Sequence, residues 1–349
     1  MSSATTNAAV SPPGTPSLVL LKLRPFPVAT VRELIRSSAA WGRKDGAQEL
    51  TFAAMGTRCR VSFGCPEAAA RPLADAVLEW VATFEARYSR FLEDSLVSQL
   101  NAAAGGPWVP LDVEAERLIA LCEQLVFLTR GLLDPTALPV IRLWDWKRAV
   151  VPTEAEVTTA RALVGWRQVQ RAPGRIRLPR AGMSLDLGGV GKEYAVDQVI
   201  LLLAQAGVSG ALVDFGADIR VYGQPPDGRP AWKIGLEDPR RPGSAWTSVI
   251  LKEGAVATSG DYLRGFESGG RRYGHIVDPR TGRPVDHGVL AASVIAPSCT
   301  QAGMLSTAAC VLGALEGRQL LETSPGVQGC LLTHDTLLNT SRFHEHVSS

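Results

Sequence analysis

Ser184–Asp197, SLDLGGVGKEYAVD, is the stretch from which the fold is read. Met183, Leu185 and Leu187 alternate with Ser184 and Asp186, the period of a half-buried strand. Gly188, Gly189 and Gly191 then interrupt any regular element. From Tyr194 the period becomes helical: Ala195, Val196, Val199, Ile200, Leu202 and Leu203 share one face, and Gly207 ends it. A strand, a glycine turn and a helix in that order gather free backbone N–H groups and the positive end of a helix dipole at one point, a seat for phosphate or another anion. Lys192 adds a full positive charge, and Asp186 stands at the end of the strand. The turn is not a P-loop, because GxxxxGK[ST] is absent. It is not a dinucleotide fingerprint, because GGVGKE lacks the third glycine of GxGxxG. The choice between an anion site and a plain tight turn falls to the rest of the chain.

Toward the N-terminus, Thr153–Val164 reads as a helix capped by Thr153 with Glu154 and Glu156 in its first turn. Before it, GLLDPTALPVIRLWDW (131–146) reads as extended with a turn at Asp134-Pro135. Val113–Thr129 and Leu73–Phe91 are amphipathic helices, Ser95 caps a short helix, and Leu50–Phe63 is a strand pair or one bent strand through Met55-Gly56-Thr57. Toward the C-terminus, strands dominate: Ala211–Tyr222, Ala231–Leu236, Ser248–Leu251, Ala255–Thr258, Arg272–Val277, Leu290–Ile295 and Gly329–Thr333. A helix over Gln301–Leu312 is capped by Thr300 and stopped by Gly313. Strands in runs, rather than in strict alternation with helices, argue for α+β over a doubly wound sheet. Residues 1–48 are expected to be a disordered or poorly structured extension, 49–340 the folded body, and 341–349 a polar tail.

The 349 residues are 46% hydrophobic and 20% charged, enough apolar matter for a sizeable core. A net charge of +2 without any Lys/Arg run gives no footprint for nucleic acid. The six cysteines form no CxxC pair, which speaks against zinc. No apolar run is long enough to span a membrane. The first residues lack a basic n-region and an uninterrupted apolar stretch, so a cytoplasmic location is expected.

Two further stretches carry chemistry. ATSGDYLRGF with RRYGHIVDPRTGRPV places His275 beside Asp261 and Asp278. A histidine at a strand end near carboxylates is a candidate general base, since it titrates near neutrality and a carboxylate fixes its tautomer; a structural histidine bonded to backbone fits the same pattern. CTQAGMLSTAACVLG puts Ser306 and Thr307 in mid-helix, where a hydroxyl ordinarily bonds the carbonyl one turn back.

Taken in order, TFAAMGT (51–57), YSRFLEDSLVSQLN (88–101), GLLDPTALPVIRLWDW, DLGGVGKEYAVD (186–197), ATSGDYLRGF with YGHIVDPRTGRP, and APSCTQAGMLSTAACVLG resemble the ApbE family, the FAD:protein FMN transferases. The match spans roughly residues 50–315. The resemblance implies an α+β fold of two intertwined halves of mixed sheet and helices with an FAD cleft between them. It implies transfer of FMN from FAD to a Thr or Ser hydroxyl of a target flavoprotein through a phosphodiester bond, with release of AMP and help from Mg²⁺. Carried over by position, Met55 packs on FAD and Asp134 meets its flavin or adenosine side. Asp186 and the following turn hold FAD, with Lys192 near the pyrophosphate and Val277 beside the ligand. His275 is the base, and the Gly189 carbonyl, Ser306 and Thr307 are the metal positions.

Two departures stand out. Gly303 occupies the place of the family's Asp ligand, and Glu193 the place of a common Gly. Mg²⁺ takes oxygen ligands and usually a carboxylate, so restoring it with Gly303→Asp is expected to tighten the metal. Glu193 either crowds the turn or supplies a substitute oxygen. Gly303 favours the alternative of an FAD-binding protein that matures a flavoprotein without transfer. Water as acceptor gives a metal-dependent FAD pyrophosphatase instead. Members of the family are often exported, whereas this chain shows no export signal.

Overall fold

A computed structural model describes residues 19–241, 243–260 and 264–348. Nine strands form one antiparallel sheet: β1 (Ala40–Lys44), β2 (Ala47–Ala54), β3 (Thr57–Gly64), β4 (Gly210–Phe215), β5 (Asp218–Gly223), β6 (Gly254–Gly260), β7 (Val289–Ala296), β8 (Gln328–Thr333) and β9 (Leu337–Asn339). Each strand lies beside its predecessor in the chain and runs opposite to it. The helices are α1 (Val28–Ser38), α2 (Glu67–Tyr88), α3 (Leu96–Ala102), α4 (Val113–Leu128), α5 (Glu154–Arg161), α6 (Gly191–Gln205), α7 (Cys299–Leu312) and α8 (Ala314–Thr323), with a further single turn at Leu138–Ile141. Antiparallel strands in a run, with helices in separate blocks, make this an α+β fold, as expected.

Both faces of the sheet are covered, and the period of two shows how. On β4, Ala211, Val213 and Phe215 belong to the large core under the helices, whereas Leu212 faces the other way. On β6, Ala255 and Ala257 join the large core and Val256 the opposite one. That second core lies under the hairpin Trp232–Glu237/Ala245–Leu251. Strands buried on both sides read as apolar runs rather than clean alternations.

Several local readings hold. Met55 and Gly56 both take positive φ (50° and 71°), the two-residue turn that matches the twist of the β2–β3 hairpin. Ser95 accepts from Ser98 N at 3.0 Å at the start of α3. Thr153 and Glu156 form a reciprocal capping box on α5.

Others are corrected. Ala211–Tyr222 is two strands, because Gly216 and Ala217 turn the chain with φ of 68° and 71°. Residues 135–141 wind into a 3₁₀ turn and a short helix rather than an extended segment. Ser298, not Thr300, caps α7, accepting from Gln301 N at 3.2 Å. The expected boundary at residue 49 falls inside β2. Before it, α1 buries Val31 and Ile35 in the main core, and Leu21 N donates to Trp108 O at 2.7 Å. Residues 1–18 lie outside the described part. The tail is not simply solvated: Phe343 is fully buried in the second core, and Ser348 N donates to Ser248 O at 2.8 Å. An apolar ring in a polar stretch is enough to bring it back to the sheet.

Candidate functional site

The DLGG turn lies where three of the quoted stretches meet. Residues 183–187 are extended but pair with no strand. Their backbone is satisfied from elsewhere, as a buried segment must be. Asn101, in the last turn of α3, accepts from Leu185 N at 2.6 Å and donates to Leu185 O at 2.9 Å. Pro135 O accepts from Asp186 N at 2.8 Å. The Asp186 carboxylate accepts from Gly188 N at 2.9 Å and pairs with Arg90 Nε at 3.0 Å. Arg90 and Asn101 were not singled out by sequence reasoning; only the stretch containing them was.

Helix α6 starts directly from this turn, so the N–H groups of its first turn face the loop side. Lys192 is in that turn, and its ammonium is paired with the buried Asp218 of β5. One turn further, Asp197 pairs with Arg220 Nη1 at 2.7 Å. Its two oxygens also accept from Cys299 N and Thr300 N, both at 2.9 Å, and from Thr300 Oγ1 at 2.7 Å. A carboxylate at the first turn of α7 satisfies orphan donors and complements the dipole. Asp197 therefore locks α6 to α7.

The same helices meet again at Glu193 and Gly303. An added Cβ at Gly303 would lie 2.4 Å from Glu193 Cγ and 3.0 Å from Oε1. The side chain of Glu193 thus fills the space that Gly303 leaves open. Gly303→Asp alone collides with it, so the simple restoration of the family ligand does not apply to this chain. Beside Gly303, Ser306 Oγ donates to the Gly303 carbonyl at 3.0 Å. Ser259 Oγ lies 2.7 Å from Ser306 Oγ and 2.8 Å from Thr307 Oγ1, forming a hydroxyl cluster between β6 and α7. Ser306 is the fully buried member.

The remaining expected site residues stand as follows. Met55 sits on its turn with its N–H donating to Glu85 at 3.0 Å, at the rim of an open groove of about 780 Å³ that α1 and β2 also line. Asp134 is used internally: it accepts from Thr136 N at 2.8 Å, Thr136 Oγ1 at 2.6 Å and Trp166 N at 3.0 Å. Val277 is buried in a small cluster with Ala137, Val140 and Trp144, and Trp144 Nε1 donates to Gly282 O at 2.8 Å. This packing ties the 275–284 segment to the 131–146 segment that touches Asp186. His275 is half-buried at the break between strands Arg271–Gly274 and Val277–Asp278. Asp278 is not poised on it: Arg280 takes both carboxylate oxygens, at 3.0 Å and 2.8 Å, and the pairing raises the Arg280 pKa. Asp261 lies outside the described residues.

Glu85 offers a pH test of the Met55 rim. Burial raises its pKa, and the Met55 N–H opposes that in part. A carboxylate with a raised folded-state pKa contributes stability that is present below its unfolded pKa and lost as pH rises through the folded one. Glu85→Gln keeps an oxygen for the Met55 N–H. It is expected to gain thermal stability relative to the parent at pH 8 and to show little difference at pH 4. Parallel melting curves with no pH-dependent gap would contradict this.

Buried thiols contribute nothing reactive here. Cys59, Cys122 and Cys330 are pushed up to about 12 by burial. Among the described residues no group of three His, Cys, Asp or Glu side chains is placed to hold a metal. The oxygen donors at α7 are of another kind: the Glu193 carboxylate beside Gly303 and the hydroxyls of Ser259, Ser306 and Thr307. Mg²⁺ accepts such a set because it keeps several waters and needs only one or two carboxylates. The donors therefore fit a hard cation.

A held glycine turn at the start of a helix and a set of oxygen donors beside a second helix thus sit on an α+β frame. A model of the ApbE family matches residues 55–331, and the chain belongs to that family. The FAD:protein FMN transferase of Treponema pallidum (strain Nichols) is 34% identical over 311 residues, covering 82% of this chain and 84% of that protein. The crystal structure of the ApbE protein from Thermotoga maritima aligns with a TM-score of 0.80 at 31% identity, over 87% of this chain and 100% of that one. The apo form of the Pseudomonas stutzeri flavinyl transferase ApbE gives 0.78 at 31% identity, over 87% and 97%. No helix among the described residues is long and apolar enough to cross a membrane.

Proposed function

We propose that this chain transfers FMN from FAD to a Thr or Ser hydroxyl of a target flavoprotein, with release of AMP. The observation that carries the reading is the clasped Leu185–Lys192 turn at the start of α6, whose backbone is held by Asn101 and Pro135 and whose Asp186 carboxylate is held by Arg90. A phosphoryl transfer needs little covalent chemistry from the protein. It needs positioned reactants and stabilised charge, and a preformed turn at the positive end of a helix supplies both.

In this reading the acceptor oxygen attacks the FMN-side phosphorus of the pyrophosphate. One O–P bond forms, the bond to the AMP oxygen breaks, and the hydroxyl proton passes to His275. The positive end of the α6 dipole stabilises the negative charge of the phosphates, while the Gly188, Val190 and Gly191 N–H groups are spent inside the turn, on Asp186 and the Leu187 carbonyl. Lys192, paired with Asp218, contributes a held cation rather than a mobile one. Asp186 holds the turn rather than reacting, and Asp134 braces Trp166 and Thr136 behind it. Met55 forms the rim against which the ligand packs, and Val277 anchors the segment bearing His275. The Gly189 carbonyl, Ser306 and Thr307 would hold Mg²⁺, which when bound neutralises pyrophosphate charge. Cytoplasmic or exported placement of the folded body leaves this chemistry unchanged.

The test is product analysis with FAD, with and without Mg²⁺, and an acceptor flavoprotein with an exposed Thr. AMP release with an acceptor mass gain equal to FMN is expected. AMP with free FMN and an unlabelled acceptor would point to pyrophosphatase action. Intact bound FAD under every metal condition would replace the transferase reading with a binding one.

A further inference from the structure

Helix α7 carries no carboxylate on the face where Gly303, Ser306 and Thr307 lie, three and four residues apart and hence on one side. We infer that Glu193, from the first turn of α6, supplies the carboxylate of a divalent-cation site formed with the α7 hydroxyls. For the cation's role in catalysis this rests on the transferase reading; for the site itself it does not.

Four observations converge. First, Glu193 occupies the volume next to Gly303: a Cβ at 303 would approach its Cγ to 2.4 Å. A side chain at 303 requires the present Glu193 side chain to move, so the carboxylate of Glu193 stands where one from 303 would otherwise be delivered. Second, Glu193 is only 6% exposed, and its Oε2 is buried with no hydrogen-bond partner among the described residues. A buried carboxylate oxygen without a donor is costly unless a cation meets it. Third, the nearby protein cations are already committed: Lys192 to Asp218 and Arg220 to Asp197. Neither is left to neutralise Glu193. Fourth, the helices run antiparallel past each other, since Asp197 meets Cys299–Thr300 and, one turn back on α6, Glu193 meets Gly303 one turn on along α7. Continuing one turn on along α7 leads to Ser306 and Thr307, whose hydroxyls meet Ser259. The donors are hard oxygens throughout, which suits Mg²⁺ or Mn²⁺ rather than a thiophilic ion.

The geometry also explains why two residues depart together from the family pattern. A longer carboxylate on α6 fits only if 303 has no side chain. Moving the carboxylate back therefore takes two changes, Glu193→Gly with Gly303→Asp.

The experiment is a cation titration of the full chain, with Mn²⁺ followed by the EPR signal of the free ion and Mg²⁺ by calorimetry, each with and without FAD. Glu193→Gln keeps the shape and removes the charge. It is expected to weaken cation binding by at least about tenfold, the scale seen when even an outer partner of a metal ligand is lost. Glu193→Gly/Gly303→Asp is expected to recover most of that affinity, whereas Gly303→Asp alone, which pushes against Glu193, binds the cation no more tightly than the parent chain. Melting curves give a second readout: Mg²⁺ raises the Tm of the parent chain and not that of Glu193→Gln, while the metal-free Gln variant is at least as stable as the parent. Unchanged affinity in Glu193→Gln, or no cation binding by the parent chain, overturns the inference and leaves FMN transfer to be judged by AMP release. Affinity lost in Glu193→Gln, with no AMP formed by the parent chain under any metal, keeps this site and overturns the transferase reading instead.

Discussion

His275→Ala is expected to lower FMN transfer by roughly 10²–10⁴-fold, the usual contribution of a positioned general base, while FAD affinity changes little. The expectation follows from where the chain puts this residue. The strand Arg271–Gly274 ends one residue before it, and a new pairing begins at Val277. The imidazole therefore sits at a break that is held on both sides: Gly274 and Ile276 are buried, and Val285 N donates to Ile276 O at 2.9 Å. Val277 is locked into the cluster around Trp144, so removing the ring should leave the segment in place. The readout is the split between the two quantities, measured by AMP release at saturating FAD and by equilibrium FAD binding. Partial recovery with added imidazole would support proton transfer. A parallel fall in binding and transfer would make His275 a ligand contact, and the base would have to be sought elsewhere.

Asp197→Ala is expected to destabilise the fold by about 3–5 kcal/mol, the cost of breaking a buried charge pair from one side. Asp197 is 6% exposed and satisfies four donors: Cys299 N, Thr300 N, Thr300 Oγ1 and Arg220 Nη1. Alanine would leave the Arg220 guanidinium without its carboxylate on β5 and two N–H groups of α7 unsatisfied. Urea unfolding reads the loss directly as a lower midpoint with an unchanged slope. Asp197→Asn, which keeps acceptor and donor atoms but no charge, should fall between the two. A loss below about 1 kcal/mol, the worth of an ordinary surface pair, would mean that apolar packing alone holds α6 to α7. The change reaches the site as well, because the contact at Asp197 sets the register that places Glu193 over Gly303.

Sequence reasoning succeeded where the deciding physics is local. The glycine turn opening α6, the Met55-Gly56 hairpin, the Ser95 cap and the Thr153–Glu156 capping box are each written in a few consecutive residues, since caps and turns are properties of neighbouring dihedrals and donors. The α+β class followed from the runs of strands. The N-terminal boundary was misplaced because α1 and β1 are short and partly polar, and a short helix is held by the core it packs on, here through Val31 and Ile35, rather than by its own residues. Residues 183–187 were read as a strand because their alternation is real. What the alternation does not say is that a side-chain amide 84 positions away, on Asn101, takes the place of a neighbouring strand.

The α+β class and the ApbE family were both legible in the residues alone, as were the glycine turn at 186–192 and the histidine at 275. Only the tertiary structure shows that Glu193 and Gly303 occupy one another's space. Glu193 and Gly303 are far apart in the chain and share no local signal. They meet because Asp197 binds the first turn of α7 and fixes how the two helices pass. Close packing then sets a side chain at 303 against Glu193 in its present place, a relation that exists only in three dimensions.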